Sequence, residues 1–238
     1  MTTPRYKLGR LPATRPHGLS DLSVYAQGKL PAPPASVSPP TVTWGMDCND
    51  TYGDCTIAGV DHLIGAWDID FHEPEGRPDD AEIQATYFQM TGGQDSGLNE
   101  ADVLQAWRTS GLWGNKIGAY APVAPTDTLA HHQVIALYGG AYLGIACPQS
   151  AQDDFAAGNP WTYVPNSPIE GGHCIVSVGY DQGGVWCVSW GSLVYVTYPF
   201  LSNFLEECWC ILSQELIEAG GANNIDLATL TADLEALS

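Results

Sequence analysis

Cys55 and His173 lie far apart in the chain, yet their residue types and settings are those of a thiol nucleophile and its base. Cys55 ends the segment Asn49-Asp50-Thr51-Tyr52-Gly53-Asp54-Cys55, and His173 opens onto the apolar run Cys174-Ile175-Val176-Ser177-Val178. A thiol attacks a carbonyl efficiently only as its thiolate, and it needs a base to carry the proton. His62 is nearer in sequence, but it falls two turns further along the same predicted helix. That is about 10 Å up the axis at 1.5 Å per residue, beyond hydrogen-bonding reach of the thiol. A base from a distant segment is needed, and His173 stands at the mouth of one.

The elements that would position this pair are legible around it. Ile57, Val60, Leu63, Ile64 and Trp67 recur at helical spacing behind the turn-forming Tyr52-Gly53-Asp54, which puts Cys55 in a first helical turn. The unpaired N–H groups and positive dipole end there favour a thiolate. The run after His173 has the apolar character of a core strand.

Gly53-Asp54-Cys55-Thr56 resembles the nucleophile segment of papain-like (C1-type) cysteine peptidases, and Gly172-His173 with Val178-Gly179-Tyr180 resembles their base strand. Gly139-Gly140-Ala141-Tyr142-Leu143-Gly144-Ile145 is similar to the strand that precedes it. The resemblance covers roughly residues 42 to 217. In that family a glutamine six residues before the cysteine donates to the oxyanion; Asn49, a shorter amide, occupies that position here. Val185-Trp186-Cys187-Val188-Ser189-Trp190-Gly191 resembles the family's Asn-Ser-Trp-Gly segment, whose asparagine orients the imidazole. With Trp-Gly as anchor, the asparagine position holds Val188, which cannot hydrogen-bond to imidazole. Three outcomes stay open: Ser189 substitutes after a one-residue slip, the site runs as a Cys-His dyad, or it does not run. The form Asn-Asp-x-x-Gly-Asp-Cys-Thr looks closest to papain-like proteins of tailed bacteriophages and actinobacteria.

The resemblance implies an α+β papain-like fold, with an N-terminal helical half carrying the nucleophile and a C-terminal antiparallel β half carrying the base. It implies a thiol hydrolase of peptide or other amide bonds, with Cys55 attacking, His173 moving the proton, Asn49 and the Cys55 N–H binding the oxyanion, and Ser189 orienting. The alternative is a weakly active or inactive papain-fold assembly protein, such as a component of a bacteriophage capsid or tail.

Other clusters carry less. Cys208-Trp209-Cys210 alternates across a strand, so its thiols diverge instead of clamping one metal. His131 and His132 are adjacent on a predicted helix and point apart. Cys48, Cys174 and Cys187 read as structural thiols. No cofactor or metal is therefore expected. Seven cysteines is an odd number, so at least one stays unpaired, which favours a mostly reduced protein.

The chain has 238 residues, 45% of them hydrophobic, with eight tryptophans, enough for one substantial core. Its net charge is −19, yet five of its eight basic residues (Arg5, Lys7, Arg10, Arg15 and Lys29) fall in the first 29 positions. The acidic remainder argues against nucleic acid and anionic membranes as partners. The N-terminus lacks an apolar signal core, and no run reaches membrane-spanning length, so a cytoplasmic or virion-associated location is expected.

Residues 1–41 are rich in proline (Pro31, Pro33, Pro34, Pro39 and Pro40) and read as an extended basic arm, unable to form an interior helix. It could lie on the body or on a neighbouring copy. Helices are expected over 81–90, 100–109 and 128–138, with a pattern break at Gly111 to Gly118. Strands are expected over 140–147, 173–180, 184–190, 192–198 and 208–212. Residues 218–238 form a linker and an amphipathic helix, capped at Asn224, whose Leu227, Leu230, Leu234 and Leu237 must bury on the body or in an assembly.

Overall fold

A computed structural model describes residues 6–70 and 77–237. Arg5, counted above in the basic arm, lies outside the described residues. In chain order the elements are α1 (Leu22–Ala26), α2 (Cys55–Asp70), α3 (Asp80–Met90), α4 (Glu100–Thr109), β1 (Ile117–Pro122) and α5 (Thr128–Tyr138). There follow β2 (Ala141–Pro148), α6 (Gln149–Ala157), β3 (Ile169–Tyr180), β4 (Gly184–Ser189), β5 (Ser192–Thr197), α7 (Tyr198–Phe204), β6 (Leu205–Ser213), α8 (Gln214–Glu218) and α9 (Leu227–Glu235).

Six strands form one sheet in the order β1-β6-β2-β3-β4-β5, and every neighbouring pair is antiparallel. The long strands β2 and β3 lie inside the sheet, and β3 is apolar and buried from His173 to Tyr180 because both of its faces are covered. Helix α2 packs on β3, with α3 and α4 on its other sides. It is buried nearly all round, which is why it lacks a strong polar face. Gly59 permits the close approach of helix and sheet: a Cβ there would lie 2.7 Å from the Tyr142 ring and 3.0 Å from Cys174 Sγ.

The structure corrects several expectations. Residues 117–122, read as following a pattern break, form β1. Its Gly118 and Pro122 are tolerated because β1 is an edge strand paired only with β6. The arm is not wholly extended: Leu22, Tyr25 and Ala26 share a buried face on the short helix α1. The cap of α9 is Asp226 and not Asn224, its carboxylate accepting the Thr229 N–H at 3.1 Å. The leucine stripe of α9 is covered within the chain, against β1 and α1. Leu230 and Leu234 are fully buried, and Tyr25 Oη donates to Asp233 at 2.7 Å.

All seven cysteines are free, and all but Cys48 are buried. Among the described residues, no helix is long and apolar enough to cross a membrane, and no group of three or more His, Cys, Asp or Glu could hold a metal ion.

Candidate active site

The turn before α2 is tightly wound, with Asp47 (φ 56°) and Cys48 (φ 65°) both left-handed. It is closed by Asn49 N–H to Met46 O and Tyr52 N–H to Cys48 O. Asp54 then caps the helix through its backbone, its carbonyl accepting the N–H of Ile57 at 2.7 Å and of Ala58 at 3.0 Å. Cys55 follows as the first helical residue, as the apolar spacing predicted.

On the sheet side, β3 brings His173 to the same end of the molecule. The Cys174 N–H donates to Cys55 Sγ at 3.4 Å, so the sulfur lies against the residue that directly follows His173. The far side of the imidazole meets β4: His173 Nε2 is 2.8 Å from Ser189 Oγ, while Nδ1 is buried without a hydrogen-bond partner. Val188 pairs with Val176 in the ladder and is fully buried, making no bond to the histidine. The hydroxyl one position on, that of Ser189, is the side chain that meets the imidazole.

Ser189 and Ser192 are joined by a two-residue hairpin whose central residues, Trp190 (φ 44°) and Gly191 (φ 70°), are both left-handed, the type I′ geometry that suits strand twist. Glycine is at ease there; tryptophan is not, and its ring compensates by stacking on His173 at 4.3 Å and 17°. The indole thus shields the His173–Ser189 bond from water.

The N-terminal segment runs through the groove between these two walls. Lys7 N–H donates to Asn49 O at 3.1 Å, and Lys7 O accepts the Trp190 indole N–H at 3.1 Å. Tyr6 stacks on the other face of that indole at 4.9 Å. Gly9 and Arg10 N–H both point to Gly172 O, at 3.2 and 3.1 Å, and Leu98 exchanges bonds with Gly9 O and Leu11 N–H at 2.9 Å each. Gly9 passes so near Gly53 that a Cβ on it would lie 1.7 Å from the Gly53 oxygen. The segment leaves Cys55 and His173 each only 1% exposed.

Burial governs the electrostatics. It pushes the Cys55 thiol up to about 12, despite the Cys174 N–H donated to the sulfur, and the charge of Asp54 adds to the rise. It lowers His173 to about 3, with further lowering by His62 and Arg10. In this arm-covered state the pair is therefore a neutral thiol and a neutral imidazole, and the dipole advantage of the helix start is outweighed by the loss of water. Asn49 is also committed: its amide donates to Tyr52 O at 3.1 Å and to Asp54 Oδ1 at 3.0 Å. Burial raises that Asp54 carboxyl to about 8. His62, set aside above as a base, holds the preceding loop through Gly45 O at 2.9 Å and Asp47 at 3.1 Å.

Among solved structures, xylellain, a cysteine protease from Xylella fastidiosa, superposes with a TM-score of 0.68 over 89% of this chain and 98% of that one, at 17% identity. This chain has the papain-like fold. Procathepsin B S9 from Trypanosoma congolense matches with a TM-score of 0.54 over 87% of this chain and 86% of that one, at 10% identity. No protein-family model and no curated protein sequence matches. The papain-like likeness therefore lives in the arrangement of elements more than in residue identity.

Proposed function

We propose that the chain is a thiol hydrolase of peptide or other amide bonds, resting in a closed state with its own N-terminal segment across the groove. Cys55 is the nucleophile, His173 Nδ1 accepts its proton, and Ser189 holds the imidazole through Nε2. The observation that carries this reading is the His173–Ser189 bond. It satisfies one ring nitrogen and leaves the other unpartnered, beside a strand residue whose N–H already touches the sulfur. A histidine with only a packing role would have little reason to keep a buried nitrogen unpaired.

Opening the groove returns water to both groups, so the thiol pKa falls and the imidazole pKa rises, each toward its ordinary value. Asn49 reaches an oxyanion only by releasing Asp54 or Tyr52, and the Cys55 N–H, in the first helical turn, is the other donor.

Gly9→Ala is the test, because its methyl group cannot fit against Gly53 and must displace the segment. The variant should alkylate at Cys55 faster than wild type at pH 7, with a rate profile shifted to lower pH, and should hydrolyse amide substrates faster. Adding Cys55→Ala should remove both activities. Hydrolysis that survives Cys55→Ala sinks the assignment.

The second reading is a papain-fold assembly protein with little catalysis, favoured by the committed Asn49 amide and the filled groove. It predicts that Gly9→Ala alkylates readily yet cuts no amide.

A further inference from the structure

Among the described residues of the N-terminal segment, Arg10 is the most deeply placed cation, its side chain 1% exposed, in a recess beside the candidate pair. One guanidinium nitrogen donates to Glu207 Oε1 at 2.7 Å; the other pairs with Glu206 and donates to Ile145 O at 3.3 Å. The far wall is Glu100, fully buried on α4, whose Oε2 accepts the Trp209 indole N–H at 3.0 Å. Gly144 of β2 makes the room. A Cβ there would lie 2.7 Å from Arg10 Cδ, 2.8 Å from Glu100 Oε1 and 3.0 Å from Arg10 Nε. The rim is Gly172, the neighbour of His173, whose carbonyl receives the Arg10 N–H.

Three features set this recess apart from a structural ion pair. Three carboxylic groups surround one cation, so acid is in excess when Arg10 is absent. Arg10 fills the place imperfectly, since its Nε and Glu100 Oε1, which flank the same point, both lack partners. And the backbone leading into the recess is held by Gly172, directly before the candidate base. Burial and Glu207 push the Glu100 carboxyl well above its ordinary range, as befits a site short of positive charge.

We propose that this recess is the subsite that selects substrate, that it takes the side chain of an arginine-containing peptide, and that Arg10 is an internal stand-in for that side chain. Glu207 and Glu206 are the specificity-determining residues, with Glu100 closing the end. Two separate nitrogens reaching two carboxylates and a carbonyl match the planar fork of guanidinium and not the point charge of ammonium. The inference rests on the hydrolase reading for its word substrate, but its test is one of binding.

The experiment uses the full chain carrying Gly9→Ala and Cys55→Ala, titrated calorimetrically with acetylated heptapeptides that are identical except for one arginine, citrulline or leucine, moved through each position. At one position arginine should bind about tenfold or more tightly than citrulline, its neutral near-isostere. Adding Glu206→Gln and Glu207→Gln should reduce that ratio to about twofold or less. Equal binding of arginine and citrulline, no binding of either, or a preference that survives both glutamine changes overturns the proposal. Should Gly9→Ala fail to fold, full-length Arg10→Ala with Cys55→Ala, which empties the recess directly, takes the same titration with the same outcomes. Arginine-selective binding by a protein that cuts nothing when Cys55 is intact would sink the hydrolase reading and leave the recess standing.

Discussion

Ser189, one residue after the position that the resemblance gives to an asparagine, is the residue whose side chain meets His173, and a hydroxyl is a lesser partner for imidazole than an amide. It offers one hydrogen bond on a short side chain, so orientation of the ring depends more on the Trp190 stack. Ser189→Ala, assayed in the Gly9→Ala background, should lower kcat by about 10-fold to 100-fold with KM little changed, less than the loss of the base itself. A second histidine permits a cleaner reading of pH. His131 is fully buried, its Nε2 2.8 Å from Ser177 Oγ, and burial lowers it to about 3. A depressed pKa contributes stability that is complete above the unfolded value and is lost as pH falls toward the folded one. Relative to His131→Gln, wild type should therefore lose about 2 kcal/mol more between pH 7.5 and pH 5 in denaturant titrations, the window set by an unfolded histidine near 6.5.

At the scale of elements, α9 ties the two ends of the chain together. Its Leu230 and Leu234 are fully buried, and the Asp226 N–H donates to Tyr25 O at 2.9 Å, so α1 and α9 stand or fall as a unit. Leu234→Ala should destabilise the protein by about 2 to 5 kcal/mol and expose the chain around Tyr25 to proteolysis before the body unfolds. Such pairings mark the boundary of what sequence can say. Helix α2 was legible because its apolar period is local, and β3 because its run is continuous. The edge strand β1 was hidden by Gly118 and Pro122, and α1 by the prolines around it, since only tertiary burial explains why Leu22 and Tyr25 turn inward. At the candidate site, the nearness of Cys55, His173 and Ser189 could be expected from spacing against known patterns. The commitment of Asn49 to Asp54, and the acidic recess around Arg10, could not. They join residues from separate segments with no shared period, and nothing in the letters near Arg10 announces Glu100, Glu206 or Glu207.

At the scale of the whole molecule, the basic N-terminal segment meets an acidic body at its candidate site, and the buried Arg10 contacts are shielded from salt in a way surface pairs are not. Limited proteolysis should thus leave Lys7 and Arg10 uncut in wild type at both low and high ionic strength, while Gly9→Ala is cut there quickly. Because the segment that spans the groove from Lys7 to Leu11 belongs to the same polypeptide, its local concentration stays in the range of about millimolar whatever the amount of protein in the tube. Closure is a first-order event: diluting the protein does not open the groove, whereas a competitor for the groove or a cut in the tether does.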